Sequence, residues 1–223
     1  MTQVLKALIW DMDGTLLNTL DDIIDSCNET LRAWNLPERP KPEMITFIGY
    51  GARHLCHKAS GLEGEDLTKF LKDYRGRAMS RNDPRTRIYP GIAEILHDTH
   101  DAGIKHGIYT NKPQNWCAKL TEKFFGNDLF DEIVGVEEGS VLKPSAEGIF
   151  GMCRKWGLKP SEVAMIGDSP VDWETSVNAE CFGICVSWGF RSREILENCG
   201  ASCIVDDIME LRHVLKEKSI SIS

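Results

Sequence analysis

The architecture of this chain follows from one motif near the amino terminus, Leu8-Ile9-Trp10-Asp11-Met12-Asp13-Gly14-Thr15-Leu16-Leu17. The apolar run from Val4 to Trp10 predicts a short buried strand, and Asp11 stands where that strand should end. Asp13 follows two residues later, and the glycine after it allows the chain to turn away. Two carboxylates spaced in this way can converge on a hard cation such as Mg²⁺, which takes oxygen ligands. Taken alone, an Asp-x-Asp-Gly stretch is more often an ordinary turn.

The composition bounds the class of protein. The chain has 223 residues, 42% of them hydrophobic and 27% charged, which is typical of a soluble protein with one large domain or two modest ones. Its net charge is −8 at pH 7, and it has no long run of lysine and arginine. We therefore expect no nucleic acid and no membrane among its partners. A small anionic substrate is compatible with this charge, because a few local cations can hold one.

The targeting and cysteine patterns favour a cytoplasmic location. The first residues lack the charged segment and long apolar core of a signal peptide, and no stretch reaches the ~18 apolar residues that a membrane span needs. The spacings of the cysteines match no zinc-binding pattern. Most cysteines lie in apolar segments, so we expect free buried thiols in a reducing compartment.

The pattern of apolar residues changes twice along the chain. Residues 18–87 show helical spacing from Leu20 to Leu36 and again from Glu43 and Glu65, so this segment is predicted to be all-helical. From Ile88 onward, strands and helices alternate, which predicts a parallel sheet covered on both faces. The sequence therefore predicts an α/β fold: a Rossmann-like core of residues 1–17 and 88–223, with a helical domain of residues 18–87 inserted after the first motif.

Polar residues occur at three further places in the predicted core. They are Thr110-Asn111-Lys112 after a strand, Lys143-Pro144 before a helix, and Gly167-Asp168-Ser169-Pro170-Val171-Asp172 after another strand. Each has an ordinary explanation by itself, as a capping group, a solvated lysine or a charge at a helix start. Because the ligand crevice of such sheets lies at the carboxyl ends of the strands, we expect these residues to meet. Together they supply a nucleophile, an acid/base, metal ligands and positive charge for phosphoryl transfer.

These four motifs, in this order, resemble those of the haloacid dehalogenase superfamily over most of the chain. Within that superfamily the chain looks most like the phosphoglycolate phosphatases. This closer likeness is carried by Asp13-Gly14-Thr15-Leu16-Leu17 with Asp22-Ile23 and Asn28, by Phe47-Ile48-Gly49-Tyr50-Gly51-Ala52-Arg53, and by Thr110-Asn111-Lys112-Pro113. The resemblance implies that residues 18–87 form a mobile cap. Relatives usually carry Asp at the position of Asn18 and Gly near Cys181, and these departures weaken any claim about one named substrate.

The resemblance implies catalytic roles for the matched core residues. Asp11 is expected to be the nucleophile that forms an aspartyl-phosphate. Asp13 is expected to protonate the leaving alcohol and then to activate water. Thr110 and Asn111 are expected to hold the transferring phosphoryl group, and Lys143 to offset its charge.

The resemblance also implies a metal site and substrate contacts. Mg²⁺ is expected to bind Asp11, Asp168 and the backbone carbonyl of Asp13, with Ser169 and Asp172 in support and Asp172 orienting Lys143. The expected substrate contacts are Gly49, Gly51, Arg53 and Lys112, the first three in a loop of the cap that closes over the substrate. Physically, a carboxylate attacks phosphorus well only if the repulsion between the anions is screened, as Mg²⁺ and Lys143 would do.

The resemblance implies an Mg²⁺-dependent phosphomonoester hydrolase that acts on a small phosphorylated metabolite, with 2-phosphoglycolate as the first candidate. We expect the protein to be a monomer or a homodimer. Within the family, a phosphosugar phosphatase and a β-phosphoglucomutase-like phosphomutase stay open. A dehalogenase is disfavoured, because it needs neither Mg²⁺ nor Asp13. A signalling receiver domain is disfavoured, because it lacks a helical insert after the first motif. An inactive or regulatory phosphate-binding protein on the same fold stays an alternative from a different class.

Overall fold

The computed structural model describes residues 4–220 and divides into two compact units. One unit holds the described residues up to Leu17 and from Ile88 onward, and the other runs from Asn18 to Arg87. Residues 1–3 and 221–223, which the sequence analysis assigns to the core, lie outside the described residues. In the described part of the chain, no helix combines the length and the apolar character that crossing a membrane requires.

The unit from Asn18 to Arg87 is helical. It contains α1 (Leu20–Ala33), α2 (Lys41–Phe47), α3 (Ala52–Ser60) and α4 (Gly64–Ser80). Ile23, Cys27 and Leu31 are buried along one stripe of α1, as the helical spacing predicts. This helix ends before the predicted Leu36, because Asn35 has a left-handed backbone with a φ of 55°.

The other unit is an α/β unit built on a six-stranded parallel sheet. The strands of the chain are β1 (Ala7–Trp10), β2 (Leu17–Asn18), β3 (Arg87–Ile88), β4 (Lys105–Pro113), β5 (Glu132–Val136), β6 (Val163–Gly167), β7 (Phe182–Val186) and β8 (Ile204–Val205). The order in the large sheet is β5-β4-β1-β6-β7-β8, so β1 lies between β4 and β6. Helices cover both faces of this sheet, as predicted for a Rossmann-like core.

The helices of the α/β unit alternate with its strands. They are α5 (Ile92–Asp101), α6 (Gln114–Phe125), α7 (Glu147–Trp156), α8 (Pro170–Asn178), α9 (Arg193–Asn198) and α10 (Ile208–Glu217), with a 3₁₀ turn at Pro160–Glu162. Strands β1 and β6 are buried along their whole length. Continuous burial on both faces explains why these strands are unbroken apolar runs in the sequence.

Two strand boundaries differ from the predictions. β1 begins at Ala7 rather than Val4, whose side chain is exposed. β4 continues to Pro113 instead of ending at Thr110, because its pairing with β5 is interrupted after Tyr109 and then resumes at Pro113. Thr110-Asn111-Lys112 therefore lies within an irregular stretch of the strand and not in a turn beyond it.

Candidate active site

The strand order brings the carboxyl ends of β1, β4 and β6 side by side. Trp10, the last residue of β1, is in register with Ile108 of β4 and with Ile166 of β6. The backbone N–H of Asp11 continues this pairing and donates to the Ile166 carbonyl at 2.8 Å. Asp11 and Asp168 therefore lie just past the ends of β1 and β6, and Thr110 lies within β4 at nearly the same level of the sheet.

Lys143 is the central cation of this group. Its Nζ lies 2.8 Å from Oδ1 of Asp11 and 2.5 Å from Oδ1 of Asp172, and its side chain is only 2% exposed. Burial disfavours the charged ammonium, but Asp11 and Asp172 outweigh that penalty and raise the pKa of Lys143 above its usual value. The lysine is thus charged, and it bridges two carboxylates from different motifs.

Three buried carboxylates cluster near Lys143. One oxygen from each of Asp11, Asp168 and Asp172 lies within 4.8 Å of the others. Burial raises the pKa of Asp11 to about 6, with Lys143 opposing the shift and Asp172 adding to it. Burial, followed by repulsion from Asp172 and Asp11, raises the pKa of Asp168 well above its usual value.

The cluster is therefore short of positive charge. Three buried carboxylates face one buried lysine, and Arg191 adds only a weaker attraction to Asp168. Burial makes an uncompensated charge costly. A divalent cation would correct this imbalance, and carboxylate oxygens are the ligands that a hard cation prefers. The residues present fit a metal site on these grounds.

Asp172 is held by the start of its own helix as well as by Lys143. Its Oδ2 accepts hydrogen bonds from the N–H of Ser169 at 3.1 Å and from the Ser169 hydroxyl at 2.6 Å. It therefore serves both as an acidic group in the first turn of α8, which the helix dipole favours, and as a partner of Lys143.

Asn111 fixes the backbone of Lys143. Its Oδ1 accepts from the Lys143 N–H at 2.8 Å, and its Nδ2 donates to the Lys143 carbonyl at 3.1 Å. The Thr110 hydroxyl accepts from the Lys112 N–H at 3.3 Å. Both residues are buried, so the second motif supports the position of the third.

Asp13 is paired with a second lysine, Lys112. Lys112 Nζ donates to the two oxygens of Asp13 at 2.9 and 3.0 Å. The ammonium also lies 4.3 Å from the ring centroid of Trp116 in α6, an arrangement that favours a cation. Lys112, expected to contact the substrate, thus contacts the expected acid/base.

Sequence reasoning missed the loop after β7. The Phe190 N–H donates to Oδ2 of Asp168 at 2.6 Å, and the Trp188 indole N–H donates to the Thr15 carbonyl at 3.2 Å. The signal was available, because this loop also follows the carboxyl end of a core strand. It holds no acidic side chain, however, so it does not stand out as a motif.

The remaining predicted residues belong to the helical unit. Gly49 and Gly51 have φ values of 107° and 87°, which favour glycine, and they separate α2 from α3. Arg53 lies in the first turn of α3, with its guanidinium 3.4 Å from the Thr68 hydroxyl at an exposed position. The ring of Tyr50, between the two glycines, is 5.0 Å from that of His54.

The sequence and the fold of this chain are similar to those of known hydrolases. Residues 8–186 match the family model of haloacid dehalogenase-like hydrolases. The chain is 27% identical to the phosphoglycolate phosphatase of Haemophilus influenzae, over 96% of this chain and 100% of that protein. It is 30% identical to the phosphoglycolate phosphatase of Agrobacterium fabrum, over 96% and 93%. The crystal structure of a predicted phosphoglycolate phosphatase from Haemophilus somnus superimposes with a TM-score of 0.89 at 26% identity, covering 96% of this chain and 99% of that one.

Proposed function

This chain belongs to the haloacid dehalogenase-like hydrolases and is a phosphatase that acts on a small phosphorylated substrate, and we propose that it works through an aspartyl-phosphate on Asp11 with the help of Mg²⁺. The observation that carries the proposal is the buried carboxylate cluster, in which Asp11 touches Lys143 and faces Asp168. Such a cluster would hold a cation and present a nucleophile in one place. Covalent catalysis then divides one difficult hydrolysis into two easier steps.

In the first step, Asp11 attacks phosphorus and the bond to the leaving alcohol breaks. Lys143 offsets the charge of the transferring phosphoryl group, and Thr110 and Asn111 hold that group. The Asn111 side chain also fixes the backbone of Lys143. In the second step, water attacks phosphorus and the bond between phosphorus and the Asp11 oxygen breaks, so that phosphate is released and the Asp11 carboxylate is regenerated. A water-poor site strengthens each of these electrostatic interactions.

The proposed metal ligands are Asp11, Asp168 and the backbone carbonyl of Asp13, with Asp172 and Ser169 in support. When bound, Mg²⁺ would screen the repulsion between the Asp11 carboxylate and the anionic substrate. An all-oxygen donor set is the kind that Mg²⁺ takes.

Asp13 is the proposed acid/base. In its protonated form, Asp13 would give a proton to the leaving alkoxide, and the resulting carboxylate would later take one from the attacking water. The Lys112 ammonium, which contacts its two oxygens, would orient this side chain and stabilise the carboxylate form that activates water. It would also contact the substrate anion. This assignment gives the two lysines of the site different partners and different tasks.

The proposed substrate is 2-phosphoglycolate. Support comes from the phosphoglycolate phosphatase relatives, which align over nearly the whole chain, and from Arg53, whose guanidinium could pair with a substrate carboxylate. The helical unit would serve as the cap, with Gly49 and Gly51 in its closing loop. A monomer or homodimer in the cytoplasm stays a prediction from the sequence. A phosphomutase is not favoured, because relatives that align over 96% of this chain at 26–27% identity are phosphoglycolate phosphatases.

Phosphate release over a panel of phosphomonoesters tests the proposal. The panel contains 2-phosphoglycolate, several sugar phosphates and p-nitrophenyl phosphate. We expect 2-phosphoglycolate to have the highest kcat/KM, EDTA to abolish turnover, Mg²⁺ to restore it, and Ca²⁺ to inhibit it. Full turnover in chelator would remove the metal from the mechanism, and a sugar phosphate at the head of the panel would replace the substrate.

A substitution at Arg53 tests the substrate assignment separately. Arg53→Ala should damage turnover of 2-phosphoglycolate far more than that of p-nitrophenyl phosphate, which has no carboxylate to hold, because remote binding energy is lost for one substrate only. Arg32→Ala, at an exposed arginine of α1, is the matched control and should change neither substrate. Equal losses on both substrates for Arg53→Ala would take Arg53 out of substrate recognition.

A further inference from the structure

The loop after β7 contacts the metal-site residue that stands on the neighbouring strand. The Phe190 N–H donates a 2.6 Å hydrogen bond to Oδ2 of Asp168. Because the acceptor is a carboxylate, this bond is of the short and strong charge-assisted kind. One oxygen of Asp168 is thus held by a backbone group, which sets the direction of the whole carboxylate. Asp168 itself is only 3% exposed.

Gly189 makes this close approach possible. A Cβ added at Gly189 would overlap the Asp168 side chain and the carbonyl oxygen of Gly14. Gly189 is not among the residues with a positive φ, so space, and not an unusual backbone conformation, requires glycine here. Gly14 meets the same carboxylate from the first motif, because a Cβ there would also overlap Asp168. Asp168 is therefore enclosed by two glycine backbones from two different loops.

Trp188 joins the same loop to the first motif. Its indole N–H donates to the carbonyl of Thr15 at 3.2 Å, two residues beyond Asp13. The loop therefore contacts two parts of the proposed metal site: the backbone of the turn that follows Asp13, and the side-chain carboxylate of Asp168. A shift of this loop would change the distance between these groups, which come from different strands.

We propose that Trp188, Gly189 and Phe190 form a positioning loop for the metal site. The loop presents Asp168 in a fixed orientation and at a fixed distance from the first motif, so it sets the affinity for the divalent cation without ligating it. This inference rests on the metal dependence proposed above. Substitution of a group that orients metal ligands typically changes the metal affinity by about 10–100-fold. We expect a substitution at Gly189 to have an effect of this size.

Direct titration of Mn²⁺ by electron paramagnetic resonance, with Mg²⁺ as competitor and no substrate, tests the loop apart from activity. Gly189→Ala should raise the Kd for Mn²⁺ by about 10–100-fold, because the added methyl group pushes the loop away from Asp168. Gly151→Ala in α7 is the matched control, since the nearest atom to its added Cβ is 4.0 Å away. Its Kd should equal that of the wild type.

A second variant guards against a folding defect in the first. Trp188→Phe keeps an aromatic ring but removes the donor to Thr15, and it should raise the Kd for Mn²⁺ by about tenfold, the lower end of the same range. Circular dichroism establishes that each variant is folded, and if Gly189→Ala is not, Trp188→Phe decides. Wild-type binding of Mn²⁺ together with Kd values within twofold for the folded loop variants would overturn the positioning loop alone. A wild type that binds neither ion would overturn the proposed metal site and the positioning loop with it.

Discussion

Two buried polar clusters lie next to each other at the end of β1. They differ in how completely their polar and charged groups are paired. At Trp10 the indole N–H donates to Nδ1 of His106 at 3.1 Å, and the other ring nitrogen of His106 lies 3.0 Å from the Thr99 hydroxyl. That hydroxyl donates to the Ile95 carbonyl at 2.6 Å. One residue later, at Asp11, three carboxylates share one lysine.

The first cluster is neutral and complete. Since Trp10 donates to Nδ1, the proton of His106 belongs on Nε2, where the Thr99 oxygen can accept it. Burial lowers the pKa of His106 to about 4, so the ring stays uncharged near neutral pH. Every polar atom in this chain of hydrogen bonds has a partner, and such a network favours one well-defined core.

The second cluster has an excess of negative charge, and this difference separates a stabilising role from a functional one. Buried groups with strongly shifted pKa values, such as these carboxyl groups, are concentrated at functional sites. Changes in the Asp11 cluster should therefore affect activity more than folding, and changes in the His106 cluster should affect folding more than activity.

The largest effect is expected for Asp11→Asn. Loss of the nucleophile should lower phosphate release on the order of 10⁴-fold or more, and no acid-stable phosphoryl-enzyme should be trapped by rapid quench. The metal-free variant should melt no lower than the wild type, because a repelling buried carboxylate is gone. Asp101→Asn, at an exposed position, is the control. Turnover near the wild-type rate would show that Asp11 is not the nucleophile.

Asp13→Asn should have the next largest effect. The amide keeps the shape of the side chain but cannot transfer a proton, so kcat should fall by about 10²–10⁴. With p-nitrophenyl phosphate, whose leaving group needs less protonation, the covalent intermediate should form and then accumulate, which a burst of p-nitrophenol would report. A kcat within tenfold of the wild type on both this substrate and an alkyl phosphate would remove Asp13 as the acid/base.

Stability should depend on pH through His106. The unfolded chain takes up a proton near pH 6.5 and the folded one only near pH 4, so the free energy of unfolding falls as the pH drops through this window. The full loss is roughly 3 kcal/mol. Asp11 has a raised pKa, so its contribution to the free energy of unfolding changes with pH in the opposite direction. The measurement that isolates His106 is therefore the difference in the free energy of unfolding by urea between the wild type and His106→Gln, taken at each pH. A difference that does not change between pH 7 and pH 4 would contradict this assignment.

The smallest effect is expected for Lys112→Met. The variant keeps an apolar stem beside Trp116 but leaves Asp13 without its cation, so the acid/base is less well held and kcat should fall about tenfold, equivalent to about 1.4 kcal/mol. Lys105→Met, at the other end of β4 and paired with Asp131 at the surface, is the matched control. The same kcat for both variants would show that the Lys112–Asp13 contact has no kinetic role.

Local patterns in the sequence were enough to predict the fold class and the places where chemistry could occur. The apolar run before Asp11, the helical spacing of residues 18–87 and the alternation after Ile88 each depend on neighbouring residues only. They predicted a parallel α/β sheet with a helical insertion, and they put Asp11, Thr110 and Asp168 at the carboxyl ends of strands. Their mutual approach then follows from the general geometry of parallel sheets.

Tertiary structure alone decided which partners these groups have. Lys112 and Asp13 are 99 residues apart in sequence, and nothing local to either residue indicates that they pair while Lys143 takes Asp11 and Asp172. The same holds for Asn111 on the Lys143 backbone, for Phe190 on Asp168 and for the burial of His106 beside Trp10. The physical reason is that strand order, register and side-chain rotamers bring distant residues together, and these depend on the packing of the whole core, which no short stretch of sequence contains.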